Sequence, residues 1–185
     1  MAELVFGSVA SAIKWAEEWA IRPDVKSQLG GLCQVSRGSS LSRSEIKDIA
    51  NTITAIVAGC EPPTGTALQC VYVGFSIARD YTVAEAMAEY LASWQKPYDR
   101  CRRKSGRQLQ ALSYNVIKAL RANELYHAEY PSTRIAAAVG VRWDTYYRSA
   151  MWPKLQSEAH SVLNLWVDRA EKETALALQQ RGWLA

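Results

Sequence analysis

Apolar residues recur at three- and four-residue intervals along most of the chain, and short polar breaks divide the pattern into successive helices. Leu4, Val9, Ile13, Ala16 and Ala20, with Trp15 and Trp19, predict a first helix over residues 3–21, closed by Pro23. Residues 22–41 are rich in Gly, Ser and Arg and read as a long loop. Ser42 and Glu45 have the spacing of a capping box, and Ile46, Ile49, Ile53, Ile56 and Val57 follow at helical intervals. Gly59 ends that helix, with Pro62 and Pro63 beyond it. Between Leu68 and Ile77 the signals conflict. Val71, Tyr72, Val73 and Phe75 favour a strand locally, but the helical surroundings make helix the expectation.

Thr82 and Glu85 again have capping-box spacing ahead of an apolar run. A further helix is expected from about Leu109 to Tyr126, carrying Leu109, Leu112, Val116, Ala119, Leu120 and Asn123. Ser132 or Thr133 offers the next N-cap. After the interruption at Pro153, a long final helix runs from about Lys154 to Gln180. Its stripe of Leu155, Ala159, Val162, Leu163, Trp166, Ala170 and Ala177 reads as a core-facing surface, with dimerisation through it as the alternative. The expected fold class is all-α: a multi-helix protein ending in a long helix.

The most informative segment is Thr133 to Arg148, within about 131–152. It has the pattern of a helix-turn-helix, whose second helix can lie in the major groove of DNA. Ile135 and Val139 give the first helix an apolar face, and small Ala136 permits close crossing. Gly140 sits where the chain must turn sharply, and Val141 and Tyr146 are placed to bury between the helices. Arg142, Trp143, Asp144, Tyr147 and Arg148 are left facing outward as candidate base contacts. Laid over this motif with an offset of 48, residues 82–100 place Met87 on Ile135, Ala88 on Ala136, Leu91 on Val139, Tyr98 on Tyr146 and Arg100 on Arg148. Ala92 stands where the turn glycine belongs, and polar Ser93 replaces Val141. Two readings stand for that segment: a second, degenerate helix-turn-helix, or a plain helix ended by Pro97.

Charge sharpens this picture. The net charge is only +4, but residues 1–95 carry seven basic and ten acidic side chains, and residues 96–155 carry twelve basic and four acidic. The basic block holds the helix-turn-helix and the run from Arg100 to Arg107. Arg100, Arg102, Arg103, Lys104, Arg107 and Arg134 are therefore candidate phosphate contacts, which add salt-dependent affinity without reading sequence. Residues 1–80 are expected to form a protein-contacting helical half, and 81–185 a basic DNA-binding half.

Other classes find less support. Cys33, Cys60, Cys70 and Cys101 form no Cys-x-x-Cys pair, and His127 and His160 are the only histidines, so no metal site or cofactor is expected. No glycine-rich phosphate loop follows a strand, and neither histidine sits in a recognisable catalytic motif, so an enzyme is not expected. An apolar run long enough to span a membrane is missing, as is a basic-then-apolar leader, which makes the cytoplasm the expected location. Of the seven tryptophans, Trp15, Trp19, Trp94 and Trp166 read as core, whereas Trp143 points outward from the second helix of the motif.

Three short segments resemble the phage Q-type transcription antitermination proteins. Lys14-Trp15-Ala16-Glu17-Glu18-Trp19-Ala20 is similar to that family's early helix with paired tryptophans. Val71-Tyr72-Val73-Gly74 is similar to the Tyr/Val/Gly stretch ahead of its DNA-reading helices. The motif at 133–148 leads into Lys154-Leu155-Gln156-Ser157-Glu158-Ala159, similar to the helix that follows the recognition helix. The chain departs from the family by a long insertion between the second and third segments, and by lacking the zinc-finger cysteines of some members. The likeness to a promoter-reading sigma-factor region is looser and rests on the helix-turn-helix alone. The resemblance implies a protein that binds double-stranded DNA overlapping a promoter and loads onto RNA polymerase paused with its sigma factor. It would then let polymerase read through terminators of late or lysis genes. The alternative is a dimeric helix-turn-helix repressor or activator acting only on initiation.

Overall fold

The computed structural model describes residues 4–21, 33–35, 41–98 and 100–184, which form an all-α protein with one small two-stranded antiparallel sheet. Strands β1 (Leu4–Phe6) and β2 (Cys33–Val35) pair antiparallel, with Val5 opposite Gln34. The helices are α1 (Val9–Ile21), α2 (Arg43–Ala58), α3 (Thr64–Tyr72), α4 (Ile77–Trp94), α5 (Gly106–Tyr126), α6 (Ser132–Ala138), α7 (Trp143–Arg148) and α8 (Trp152–Gln179). The expected loop over 22–41 lies outside the described residues, apart from β2 and Leu41.

Local chemistry accounts for most of the boundaries. The first helix starts at Val9 rather than residue 3, because Ser8 and Ser11 close its first turn. The Ser11 amide donates to Ser8 Oγ and the Ser8 amide to Ser11 Oγ, each at 3.1 Å, freeing Leu4–Phe6 to form a strand. The capping box at Ser42 and Glu45 forms as read. Over 68–77 the expected helix is instead broken in two: α3 stops at Tyr72, Gly74 takes φ +100°, a conformation costly to other residues, and α4 begins at Ile77.

The second helix-turn-helix is not formed. Helix α4 runs unbroken past Ala92 to Trp94, and Gln95 caps it two residues before Pro97. Thr82 is therefore no N-cap; its hydroxyl donates to the Ala78 carbonyl in mid-helix, at 3.0 Å. Helix α6 is likewise preceded by Pro131, without a side-chain cap from Ser132 or Thr133. Helix α8 takes Pro153 into its first turn, where the missing amide has no helical partner to lose, and at 28 residues is about 42 Å long.

The main core draws on residues from both sides of position 80, including Leu68, Val71, Met87, Leu91, Leu112, Val116, Leu155 and Leu163. The stripe on α8 is spent here: Leu155, Ala159, Val162, Leu163 and Ala170 are buried and Trp166 packs against them, so it presents no free dimerisation face. A smaller cluster gathers Phe6, Trp15, Ala16, Ile53 and Leu178 beside the two-stranded sheet, where Phe6 N–H donates to the Trp183 carbonyl at 2.8 Å. Gly65 allows α3 to press against the end of α2, since a Cβ there would overlap the Val57 carbonyl oxygen.

One polar device joins three helices inside the core. Asp80 on α4 and Arg121 on α5 are both buried and meet as a bidentate pair, Arg121 Nη1 lying 3.0 Å from Asp80 Oδ2 and Nη2 reaching Oδ1. Arg121 Nε donates to the carbonyl of Cys70 on α3 at 2.5 Å. Removing one member strands the other charge. Arg121→Met is expected to lower the unfolding free energy by about 3–5 kcal/mol, whereas the double change Asp80→Leu with Arg121→Met recovers most of it. Urea unfolding of the three proteins checks this, and an Arg121→Met midpoint equal to wild type would show that the pair holds nothing together.

Candidate nucleic-acid interface

Helices α6 and α7 are two short helices joined by a tight turn, and the turn is fixed by backbone geometry. Gly140 adopts φ +73°; its amide donates to the Ala137 carbonyl and the Val141 amide to that of Ala136, at 3.1 and 3.0 Å. This is a Schellman closure, which satisfies the last carbonyls of α6 and turns the chain toward α7. Ile135, Ala136 and Val139 are buried as the apolar pattern anticipates, and Val141 packs against the core at its edge. Gly140→Ala places a Cβ in left-handed backbone. It is expected to cost about 1–2 kcal/mol of stability, read as a lower urea midpoint; an unchanged midpoint would mean the turn reaches an ordinary φ.

Helix α7 has six residues and buries one of them. Tyr146 is 1 % exposed, its ring stacked on Trp152 of α8 at 5.5 Å, and its hydroxyl donates to Gln156 Oε1 at 2.8 Å. Ser149 then caps α8, its Oγ accepting from the amides of Met151 and Trp152 at 3.2 and 3.4 Å. All five outward candidates are exposed: Arg142, Trp143, Asp144, Tyr147 and Arg148. The Arg142 side chain is 87 % exposed and only loosely paired to Asp144 at 3.4 Å, so it is free to reach a partner. Trp143 and Tyr147 lean on each other with ring centroids 4.8 Å apart. Arg148, Asp144, Thr145 and Ser149 line an open concavity on the outer side of α7.

The basic run lies beside this motif, through contacts that sequence reading missed. Gln95 is buried and grips Lys104 from both sides, its Nε2 donating to the Lys104 carbonyl at 2.8 Å and its Oε1 accepting from the Lys104 amide at 2.9 Å. Lys104 Nζ then sits 4.9 Å above the Trp152 ring, the ring on which Tyr146 stacks. At the start of α5, Ser105 and Gln108 form a capping box, and Gln108 Nε2 also donates to the Val139 carbonyl in the turn at 3.4 Å. Loop and turn are thus pinned at two points. Ser105 and Gln108 have legible capping-box spacing; Gln95 and Trp152 carry no local signal, because their partners are distant in sequence.

The six candidate phosphate contacts divide. Arg100, Arg102 and Arg107 are exposed. Arg103, though exposed, clasps its own loop, donating from Nε to the Tyr98 carbonyl at 2.9 Å and from Nη2 to that of Lys96 at 2.6 Å. Lys104 is half-buried over Trp152. Arg134 is exposed on α6, its guanidinium carbon 5.8 Å from the Tyr130 ring centre. Opposite in character, Glu124, Asp168 and Glu171 gather near Tyr72, where burial and then these carboxylates push the phenol up to about 12.

A cleft between α7 and α8 is lined by Ser132, Tyr146, Tyr147, Pro153, Gln156, Ser157 and His160. Burial pushes the His160 imidazole below its ordinary value of 6.5. The folded protein therefore holds it neutral, while the unfolded chain takes up the proton first as pH falls through 6.5. Stability declines from there downward, until the folded value is passed. His160→Gln is expected to flatten this decline, compared by urea midpoints at about pH 7.5 and about pH 5.5; an identical decline in both proteins would rule out desolvation of this ring as its source.

Among the described residues, no group of His, Cys, Asp and Glu is arranged to hold a metal ion. Cys60 and Cys70 are buried free thiols, and burial pushes Cys70 up to about 12. No described helix is long and apolar enough to cross a membrane. The chain matches no protein-family model, no curated protein and no solved structure.

Proposed function

We propose that the protein binds double-stranded DNA through the outer face of α7 and acts as a transcription antitermination factor. The observation that carries the DNA reading is the exposed set Arg142, Trp143, Asp144, Tyr147 and Arg148 on and just before a helix anchored by one buried tyrosine, with Arg100 and Arg102 on the loop pinned beside it and Arg107 in the first turn of α5. Arg142 and Arg148 have the chemistry to pair with guanine edges, and Trp143 and Tyr147 that to meet thymine methyls or sugars. Arg100, Arg102 and Arg107 contribute phosphate contacts.

Length limits what α7 reads alone. Six residues span about 9 Å, the rise of roughly three base pairs. Specificity at a promoter therefore calls for a neighbour on the DNA, and polymerase carrying its sigma factor supplies one. That requirement agrees with the resemblance to Q-type antitermination proteins. RNA polymerase and sigma are the protein partners of the proposal, and readthrough of late or lysis-gene terminators its outcome.

Two measurements test it. In DNA-binding titrations Arg148→Ala is expected to weaken specific binding by about 1–3 kcal/mol, and Arg107→Ala to weaken all duplexes evenly and lower the salt slope by about 1. Duplex binding unmoved by either change would remove the DNA reading. Transcription through a terminator with purified polymerase is expected to show readthrough from the cognate promoter. Altered initiation with normal termination would instead make the protein an ordinary repressor or activator.

A further inference from the structure

A second surface lies away from α7, along the edge where α4 meets α5. Ile77 and Tyr81, one turn apart on α4, are 61 % and 51 % exposed, more than helical core positions leave open. The Tyr81 ring packs 5.2 Å from that of Tyr114 on α5. Lys118, a turn further on, holds its ammonium 4.3 Å from the Tyr114 ring centre. The connection after α5 doubles back beside this edge, Tyr130 donating its hydroxyl to Asn115 Oδ1 at 2.7 Å, and Arg134 brings its guanidinium to the Tyr130 ring. Burial, then Asp80, Tyr81 and Tyr130 among its neighbours, raise the Tyr114 hydroxyl, which fits three rings grouped together.

We infer that this edge is a binding site for single-stranded nucleic acid, with unpaired bases stacking on Tyr81 and its neighbouring rings and with Lys118 and Arg134 meeting the phosphates. The chemistry selects that occupant. Rings alternating with cations match a strand that alternates bases with phosphates. A duplex keeps its base faces stacked internally and offers such rings nothing. The charge beneath the rings is neutralised, since Asp80 is bound by Arg121. Lys118 and Arg134 are then the cations that lie on these rings, with Glu85 exposed one turn beyond Tyr81. This site does not depend on the α7 reading: it shares none of Arg142, Trp143, Asp144, Tyr147 and Arg148, and only Arg134 is common to it and to the candidate duplex phosphate contacts.

The test uses the full chain with a fluorescein-labelled oligo-dT of about 15 nucleotides and, in parallel, duplex DNA. Tyr81→Ala is expected to weaken oligo-dT binding about tenfold or more, and Tyr81→Phe to restore it, because a phenyl ring stacks as well. Lys118→Gln is expected to lower the single-strand salt slope by about 0.7. Arg148→Ala should leave oligo-dT binding unchanged. Absence of oligo-dT binding at low salt overturns the inference, whatever the duplex does. So does oligo-dT binding that ignores Tyr81→Ala and falls with Arg148→Ala, which would place the strand on α7. Loss of duplex binding alone speaks only against the α7 reading.

Discussion

The buried pairing of Asp80 with Arg121 organises the centre of the molecule. An unpaired carboxylate at that depth is far costlier than a surface one, so α4 and α5 must come together at these two positions. The third bond, from Arg121 Nε to the Cys70 carbonyl, brings in the end of α3, close to the break at Gly74. Three elements are thereby fixed in register by a single guanidinium. The hairpin of α4 and α5 then sets everything downstream. At its far end, Gln95 grips Lys104, and Gln108 reaches the turn between α6 and α7. Apolar packing among Met87, Leu91, Leu112 and Val116 supplies bulk stabilisation, but it is tolerant of sliding in a way that a bidentate pair is not.

How much of this was legible in the chain depended on range. Where a feature is local it could be read: the Ser42–Glu45 box, the buried Ile135 and Val139, the Gly140 turn and the outward set on α7 all rest on residues within a few positions of one another. Helix type was legible in the same way, through apolar period. Readings failed where a local signal had a competitor. Thr82 and Glu85 have capping spacing, yet α4 had already begun at Ile77, and a threonine inside a helix satisfies its hydroxyl on the preceding turn. Leu4 fits a helical period, but the paired serines at 8 and 11 cap the helix after it. Long-range partners were invisible: nothing near Asp80 names Arg121, and nothing near Lys104 names Trp152.

Charge is distributed by element more than by halves of the chain. The exposed arginines of residues 100–107 and of α7 lie at the α6–α7 end, whereas Glu124, Asp168 and Glu171 collect around Tyr72, at the end of α3. Burial and then Asp168 and Glu124 hold the Glu171 carboxyl above its ordinary value, so this carboxylate cluster pays a desolvation and repulsion cost that the core beneath it absorbs. A polyanion approaching the molecule is drawn to one region and repelled from the other, which orients it before any contact forms.

The anchoring of α7 chiefly by Tyr146 has a consequence for how the surface can vary. Only Tyr146 of its six side chains is buried, and the helix is held by that ring and its hydroxyl, by the Trp143 ring stacked on it at 6.3 Å, and by the turn behind it. Substitutions at 144, 147 and 148, and at Arg142 just before the helix, therefore change the chemistry displayed with little effect on the buried packing. The outward side chains of α7 can thus be exchanged separately from the residues that hold it, Gly140, Tyr146 and Trp152, so the surface it displays and the packing beneath it can change independently.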